Sequence, residues 1–245
     1  YSLLLNNGDG TFGTRVDMVN QDSLFSTSVD LNGDGKNDVV FGSPTASSGV
    51  RLGNGDGTFK STVTISLTAE REIQTADFNG DGKLDIAAAN YPNGNMMIIP
   101  NTATSGTINS SSLGTYSLFQ PAGGNTEAVS IGDINGDGKP DFVAAAYNTT
   151  VVSLFKNTST SSSITFTNYV AYTDPNGTNG TSVGNNMSLA DLNGDGLLDI
   201  VRCNNSSNNL SIFPSISIPP PVLISDFTPK QGSLSTTVTI TGSNF

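Results

Sequence analysis

Asp30-Leu31-Asn32-Gly33-Asp34-Gly35-Lys36-Asn37-Asp38 is the stretch on which the reading of this chain turns. Its pattern, Asp-x-Asn-Gly-Asp-Gly-x-x-Asp, returns at 77–85, 133–141 and 191–199. Each copy gathers three carboxylates and at least one carboxamide within nine residues. Like charges this close disfavour one another unless a positive charge sits among them. Calcium meets that need, since it takes about six to eight oxygen ligands from carboxylates, amides and backbone carbonyls. Magnesium meets it less well, because it holds its water against an all-protein cage.

The expected ligands are the side chains of positions one, three, five and nine and the backbone carbonyl of position seven. In the first copy these are Asp30, Asn32, Asp34, Lys36 and Asp38. The second gives Asp77, Asn79, Asp81, Lys83 and Asp85, and the third Asp133, Asn135, Asp137, Lys139 and Asp141. The fourth gives Asp191, Asn193, Asp195, Leu197 and Asp199, so four calcium sites are expected. Gly33 and Gly35 are expected to let the backbone curl round the ion where a side chain would clash. Position two is always apolar (Leu31, Phe78, Ile134, Leu192), which predicts an anchor into the core. An EF-hand would need a bidentate Glu at position twelve. That position holds Phe41, Ala88, Ala144 and Arg202, and the flanking segments read as strands. Metal-free structural turns remain the alternative at this level.

Composition agrees with a ligand role for the acids. The net charge is −11, yet Glu70, Glu72 and Glu127 are the only glutamates among 21 acidic residues. One divalent ion per loop would cancel most of that charge. The ten Lys and Arg form no basic stripe, which argues against nucleic acid. The absence of His and the single Cys203 exclude His/Cys zinc sites and an internal disulfide. Missing His also removes the commonest general base. Cys203 is expected to be a small buried residue. No apolar run reaches the ~20 residues of a membrane helix, so no membrane insertion is expected.

The loop starts lie 47, 56 and 58 residues apart. A second landmark, Asn7-Gly8-Asp9-Gly10-Thr11-Phe12, recurs 47 residues on as Asn54-Gly55-Asp56-Gly57-Thr58-Phe59. These copies lack the acidic ends of the loop and read as hairpin turns, with Phe12 and Phe59 directed to the core. Two landmarks with one period, and several short apolar segments per unit, predict propeller blades. In the third unit the segments are 128–131, 142–146, 151–155 and 165–170. Alanine-rich second segments such as Ile86-Ala87-Ala88-Ala89 are too short and too closely punctuated for helices. The expected fold is all-β: a partial β-propeller of about four and a half four-stranded blades over 1–215. A Pro-rich linker follows at 216–221, then the first strands of an Ig-like sandwich at 222–245. Further blades before Tyr1 or an incomplete ring would both account for the blade number. Polar stretches at 102–112, 158–163, 174–186 and 204–209 are expected to be surface loops.

The four loops with their Gly-Asp-Gly-Thr-Phe hairpins resemble the FG-GAP/VCBS repeats, the calcium-loop blades of integrin α-like propellers. Phe41-Gly42-Ser43-Pro44 approximates the segment that names the family. The tail, with Pro229 to Gly232 and Val238-Thr239-Ile240-Thr241-Gly242-Ser243-Asn244-Phe245, resembles the start of an IPT/TIG domain. These resemblances imply a secreted or cell-surface module, stiffened by calcium, that binds a protein or glycan ligand through other loops. Two alternatives stand beside it: part of a secreted polysaccharide-degrading enzyme, or a passive spacer. Outside the loops the acids Asp17, Asp22, Glu70, Glu72, Glu127, Asp174 and Asp226 read as solvated loop or strand-end residues, so no catalytic residue is expected here.

Overall fold

The computed structural model describes residues 2–17, 25–43, 48–65, 67, 70–91, 93–147, 149–174, 187–204, 209–215, 223–228, 237 and 239–243. Among them every regular element is a strand, and no helix is long and apolar enough to cross a membrane. The chain divides into two compact units, Tyr1–Pro214 and Ser215–Phe245.

The first unit is a series of antiparallel meanders. β1 (Ser2–Leu3) pairs with β2 (Val16–Asp17). Then come β3 (Phe25–Val29), β4 (Asp38–Gly42), β5 (Ser48–Arg51) and β6 (Val63–Ile65) in one four-stranded sheet. The next holds β7 (Glu70–Ala76), β8 (Asp85–Asn90), β9 (Asn95–Ile99) and β10 (Ser117–Phe119). The third holds β11 (Thr126–Gly132), β12 (Asp141–Ala146), β13 (Val151–Phe155) and β14 (Val170–Thr173). β15 (Met187–Ala190), β16 (Asp199–Asn204) and β17 (Asn209–Phe213) form the fourth, three-stranded sheet. The first strands of consecutive sheets lie beside one another, β3 by β7, β7 by β11 and β11 by β15.

Register shows that the opening pair is the outer half of the same unit. Leu3 faces Val16 as Val50 faces Val63, and Asn6 bridges Phe12 as Gly53 bridges Phe59. Each partner is displaced by the same 47 residues. Hairpins at the corresponding place, after the third strand, are closed by Asn101–Leu113 and Asn157–Phe166 bridges.

Successive sheets pack face to face, and the second strands of the middle two, β8 and β12, are buried on both sides. Ile86 and Ala88 of β8 pack with Leu31, Val40 and Val50 of the sheet before. Ala87 and Ala89 pack with Phe142, Ala144 and Phe155 of the sheet after. Val143 and Ala145 of β12 turn the other way, onto Ile200. A strand with two buried faces loses polar alternation and keeps small side chains, which is why these segments read as Ile-Ala-Ala-Ala and Phe-Val-Ala-Ala-Ala. Phe142 stacks on Phe155 at 4.5 Å, and Phe166 meets Phe142 edge-on at 4.8 Å.

Several expectations need correction. The fourth strand of the third sheet is Val170–Thr173, because residues 165–166 are held in the small hairpin by Thr158 N–H to Thr165 O (2.9 Å). Phe12 is 60% exposed and Phe59 half-buried, since each lies on the face of its own hairpin, beyond the packed sheets. Cys203 is a free, half-buried thiol on β16, in the fourth sheet of the first unit. The polar stretch 102–112 is not simply surface: Ala103, Ile108 and Ser112 are buried, and the first two join the core between the first two full sheets. Residues 175–186 and 205–208 of the other polar stretches, the linker at 216–221, Asp22 and Pro44 lie outside the described residues.

Asparagine side chains tie the second and third full sheets to the loop of the one before. Asn101 Nδ2 donates to Leu31 O (2.8 Å) and Leu84 O (3.0 Å), and Asn157 Nδ2 donates to Phe78 O and Pro140 O (both 2.9 Å). Asn157→Ala is expected to cost roughly 2 kcal/mol in urea unfolding, since buried carbonyls and the Ser159 N–H lose their partner. A loss below measurement error would show that the clasp contributes nothing.

In the second unit β18 (Leu223–Thr228) pairs antiparallel with β19 (Thr239–Ser243), with a register shift between Ile224 and Asp226.

Candidate metal loops and their scaffold

All four acidic loops join the first and second strands of a sheet: β3 to β4, β7 to β8, β11 to β12 and β15 to β16. Strands border them on both sides, so the structure matches the strand-flanked reading.

One hydrogen-bond scheme serves every loop. The position-one carboxylate is turned inward and takes backbone N–H groups across the turn. Asp30 Oδ1 accepts from Gly33 (2.8 Å) and Asp34 (3.1 Å), and its Oδ2 accepts from Gly35 (2.7 Å). Asp77 and Asp133 repeat all three bonds. Asp191 accepts from Gly194 and Gly196, and its carboxyl is held below the ordinary value chiefly by the Gly196 N–H. The position-three Oδ1 of Asn32, Asn79, Asn135 and Asn193 accepts the position-five N–H. Position five in turn accepts the N–H of Lys36, Lys83, Lys139 or Leu197.

Position nine does something the sequence did not disclose. Asp38, Asp85, Asp141 and Asp199 are at most 1% exposed. Oδ2 of each accepts the N–H of the position-two residue in its own loop: Leu31, Phe78, Ile134 or Leu192. Oδ1 of the first three accepts an N–H from beyond the third strand: Gly53 (2.9 Å), Asn101 (2.8 Å) or Asn157 (2.7 Å). One side chain therefore pins the loop to the end of its sheet. Burial pushes Asp85 up to about 6 despite those two hydrogen bonds, and Asp81 and Asp77 add repulsion. Asp38 and Asp141 are raised for the same first reason.

The glycines earn their places by backbone conformation, not by clash. Gly33 and Gly35 have φ of 71° and 82°, and in the other loops the first glycine lies at 73–80° and the second at 84°. A Cβ would meet nothing within 4 Å at Gly35, Gly80, Gly82, Gly138, Gly194 or Gly196. The left-handed backbone alone selects glycine there. The position-two anchor holds for Leu31, Phe78 and Ile134, which are 3, 1 and 8% exposed, whereas Leu192 is 53% exposed. Leu31, Phe78 and Ile134 are covered by the following sheet, and the fourth is the last described sheet of the first unit.

The donor set fits a hard divalent cation in kind. It offers only oxygen, and no ion pair among the described residues reaches the carboxylates of positions one and five. Lys139 points elsewhere, onto Ser159 O (2.8 Å). The side chains are not gathered into a ready-made cage: among the described residues no group of three or more carboxylates converges to hold a metal. Positions one and nine are instead engaged by backbone N–H. A carboxylate oxygen keeps a second lone pair for an ion when it accepts one N–H.

Two of the acids read as solvated are buried. Glu127 is 7% and Asp174 1% exposed, and Asp174 accepts from Asn204 Nδ2 (2.9 Å). Glu72 is half-buried and joins neighbouring sheets, accepting from Val129 N–H (2.9 Å) and Gln74 Nε2 (3.0 Å). A signal for Glu127 exists in the sequence: it follows Arg71 by 56 residues, the interval separating Asp77 from Asp133.

Comparison with known families places these loops. A model described as an FG-GAP-like repeat matches residues 30–88, 77–144 and 133–202, each window running from one acidic loop through the next. No curated protein matches the chain. Among solved structures, an Agrocybe aegerita lectin that recognises non-reducing terminal N-acetylglucosamine superposes with a TM-score of 0.59 at 19% identity. That alignment covers 86% of this chain and 59% of the lectin chain. A Photorhabdus luminescens Tc holotoxin pore aligns with a TM-score of 0.43 at 18% identity, over 92% of this chain and 11% of that one.

Proposed function

The chain belongs to the FG-GAP-like repeat family, and from that premise we propose that it is a ligand-binding β-propeller module whose four acidic loops take calcium. The carrying observation is the fourfold recurrence of one oxygen-only donor set whose position-one and position-five carboxylates have no cationic partner among the described residues. Asp30, Asn32, Asp34 and Asp38, with the Lys36 carbonyl, would hold the first ion, and their counterparts the others. A bound divalent ion would also favour the charged form of Asp85, which burial disfavours.

The ring is completed in this reading by further blades of the same kind. The 53% exposure of Leu192, against its covered counterparts, supports that. The hairpin of β18 and β19 opens an Ig-like IPT/TIG domain, and the whole is an extracellular adhesion or recognition module acting on a protein or glycan. It is a binding module and not an enzyme. The sugar recognised by the Agrocybe lectin makes glycan the first ligand class to examine.

Calorimetric titration of the metal-free chain with calcium, in a magnesium background, is expected to give uptake of four ions. Asp34→Ala should reduce that to three. No heat and no ion uptake in the wild type would remove the calcium assignment.

A further inference from the structure

At the strand ends opposite the acidic loops, β7 and β11 enter their sheets through the same irregularity. Pairing slips between Glu70 and Glu72 in one and between Thr126 and Ala128 in the other, so Arg71 and Glu127 are the extra residues of two β-bulges. They stand 56 residues apart, as do Tyr91 and Tyr147 and the loop starts Asp77 and Asp133. Two neighbouring sheets thus present the same corner with different residues. A bulge re-aims a side chain and is common beside functional sites. The tyrosine rings meet edge-to-face, with centroids 5.8 Å apart, and the Arg71 guanidinium carbon lies 4.2 Å from the Tyr91 centroid.

Glu127 makes this corner more than packing. It is 7% exposed, and neither carboxylate oxygen has a hydrogen-bond partner. The Thr126 hydroxyl beside it and Asn95 Oδ1, at the start of β9, are buried without partners too. Gly94 brings that turn against the backbone of Asn125, where an added Cβ would stand 2.5 Å from the amide nitrogen. Asn125 itself is held at φ 46°, a conformation unusual outside glycine. Unpartnered buried acceptors are costly, so the corner is suited to a partner rich in donors.

The charges narrow the partner. Arg71 lies close enough to act on the Glu127 carboxyl, and its charge disfavours an incoming ammonium or guanidinium group. The orphaned acceptors disfavour an anion. A neutral polyol satisfies both conditions, and tyrosine offers its carbon-bound hydrogens an apolar wall.

We propose that Arg71, Glu127, Tyr91 and Tyr147 form a binding subsite for a neutral saccharide, resting on the reading of the chain as a ligand-binding propeller. Glu127 accepts hydrogen bonds from adjacent hydroxyls, Arg71 donates to a sugar oxygen, and Tyr147 flanks the ring. The test applies the full calcium-loaded chain to neutral glycans ending in glucose, galactose, mannose or N-acetylglucosamine, with Glu127→Gln and Tyr147→Leu in parallel. The wild type should bind at least one terminal sugar, and each variant should lose about tenfold or more in affinity. Glu127→Gln should melt no lower than wild type, because a buried carboxyl with no partner is removed. Glycan binding undiminished in both variants overturns this site and leaves the ligand-binding reading intact. No neutral glycan bound by the wild type overturns the saccharide assignment, and the calcium titration then judges the wider reading separately.

Discussion

Chelating divalent ions with EDTA is expected to lower the melting temperature of this chain by roughly 10–20 °C. The figure follows from the loops. Extracellular calcium sites commonly bind at ~0.1–1 mM. At ~1 mM calcium and a dissociation constant of ~0.1 mM, one site contributes about 1.4 kcal/mol. Four independent sites give about 6 kcal/mol, comparable with the whole stability of an ordinary domain. For a chain of this size each kcal/mol moves the midpoint by roughly 2–4 °C. The measurement is a thermal melt in calcium and in chelator at constant ionic strength. Coincident curves would mean that the carboxylates serve only the backbone bonds described above.

The second large effect separates those two roles. Asp141→Ala should destabilise the protein by about 4 kcal/mol, and most of that loss should persist in chelator. The Asp141 carboxylate is fully buried and accepts the N–H groups of Ile134 (3.1 Å) and Asn157 (2.7 Å). Alanine leaves both donors buried and unmatched, at about 1–3 kcal/mol each. Asp137→Ala, at a solvent-facing position, should by contrast lose its effect once calcium is removed. Urea unfolding of both variants, with and without EDTA, checks the pair. Equal behaviour of Asp141→Ala and Asp137→Ala in chelator would mean that position nine is not a fastener of the fold.

Much of the architecture was legible because the loops are regular. Their spacing located the first and second strands of four sheets, and the 47-residue echo of Asn7–Phe12 located the outer pair at the start. What was hidden depended on neighbours in space. Periodicity assigns Leu192 the same fate as Leu31, yet only a following sheet can cover it. Position nine reads as a fifth ligand, and its further role as a fastener was hidden because one of its partners in the first three loops is a backbone N–H from beyond the third strand. Phe12 and Phe59 are aromatic, but their hairpins project past the packed layers. Glu127 sat in a strand too short for one charged residue to announce a bulge; only its register against Ala145 and Ala146 does so.

The hairpin after each third strand varies from Gly53–Phe59 to Asn101–Leu113 and Asn157–Phe166, while the strands it joins keep their pairing. Length changes in a repeat are thereby taken up in this hairpin, whose base stays clasped to the preceding loop through Asn101 or Asn157. That makes the exposed tip at Ser161–Ser162 a natural insertion point for an epitope, a fluorophore tag or a grafted peptide, with one display position per module.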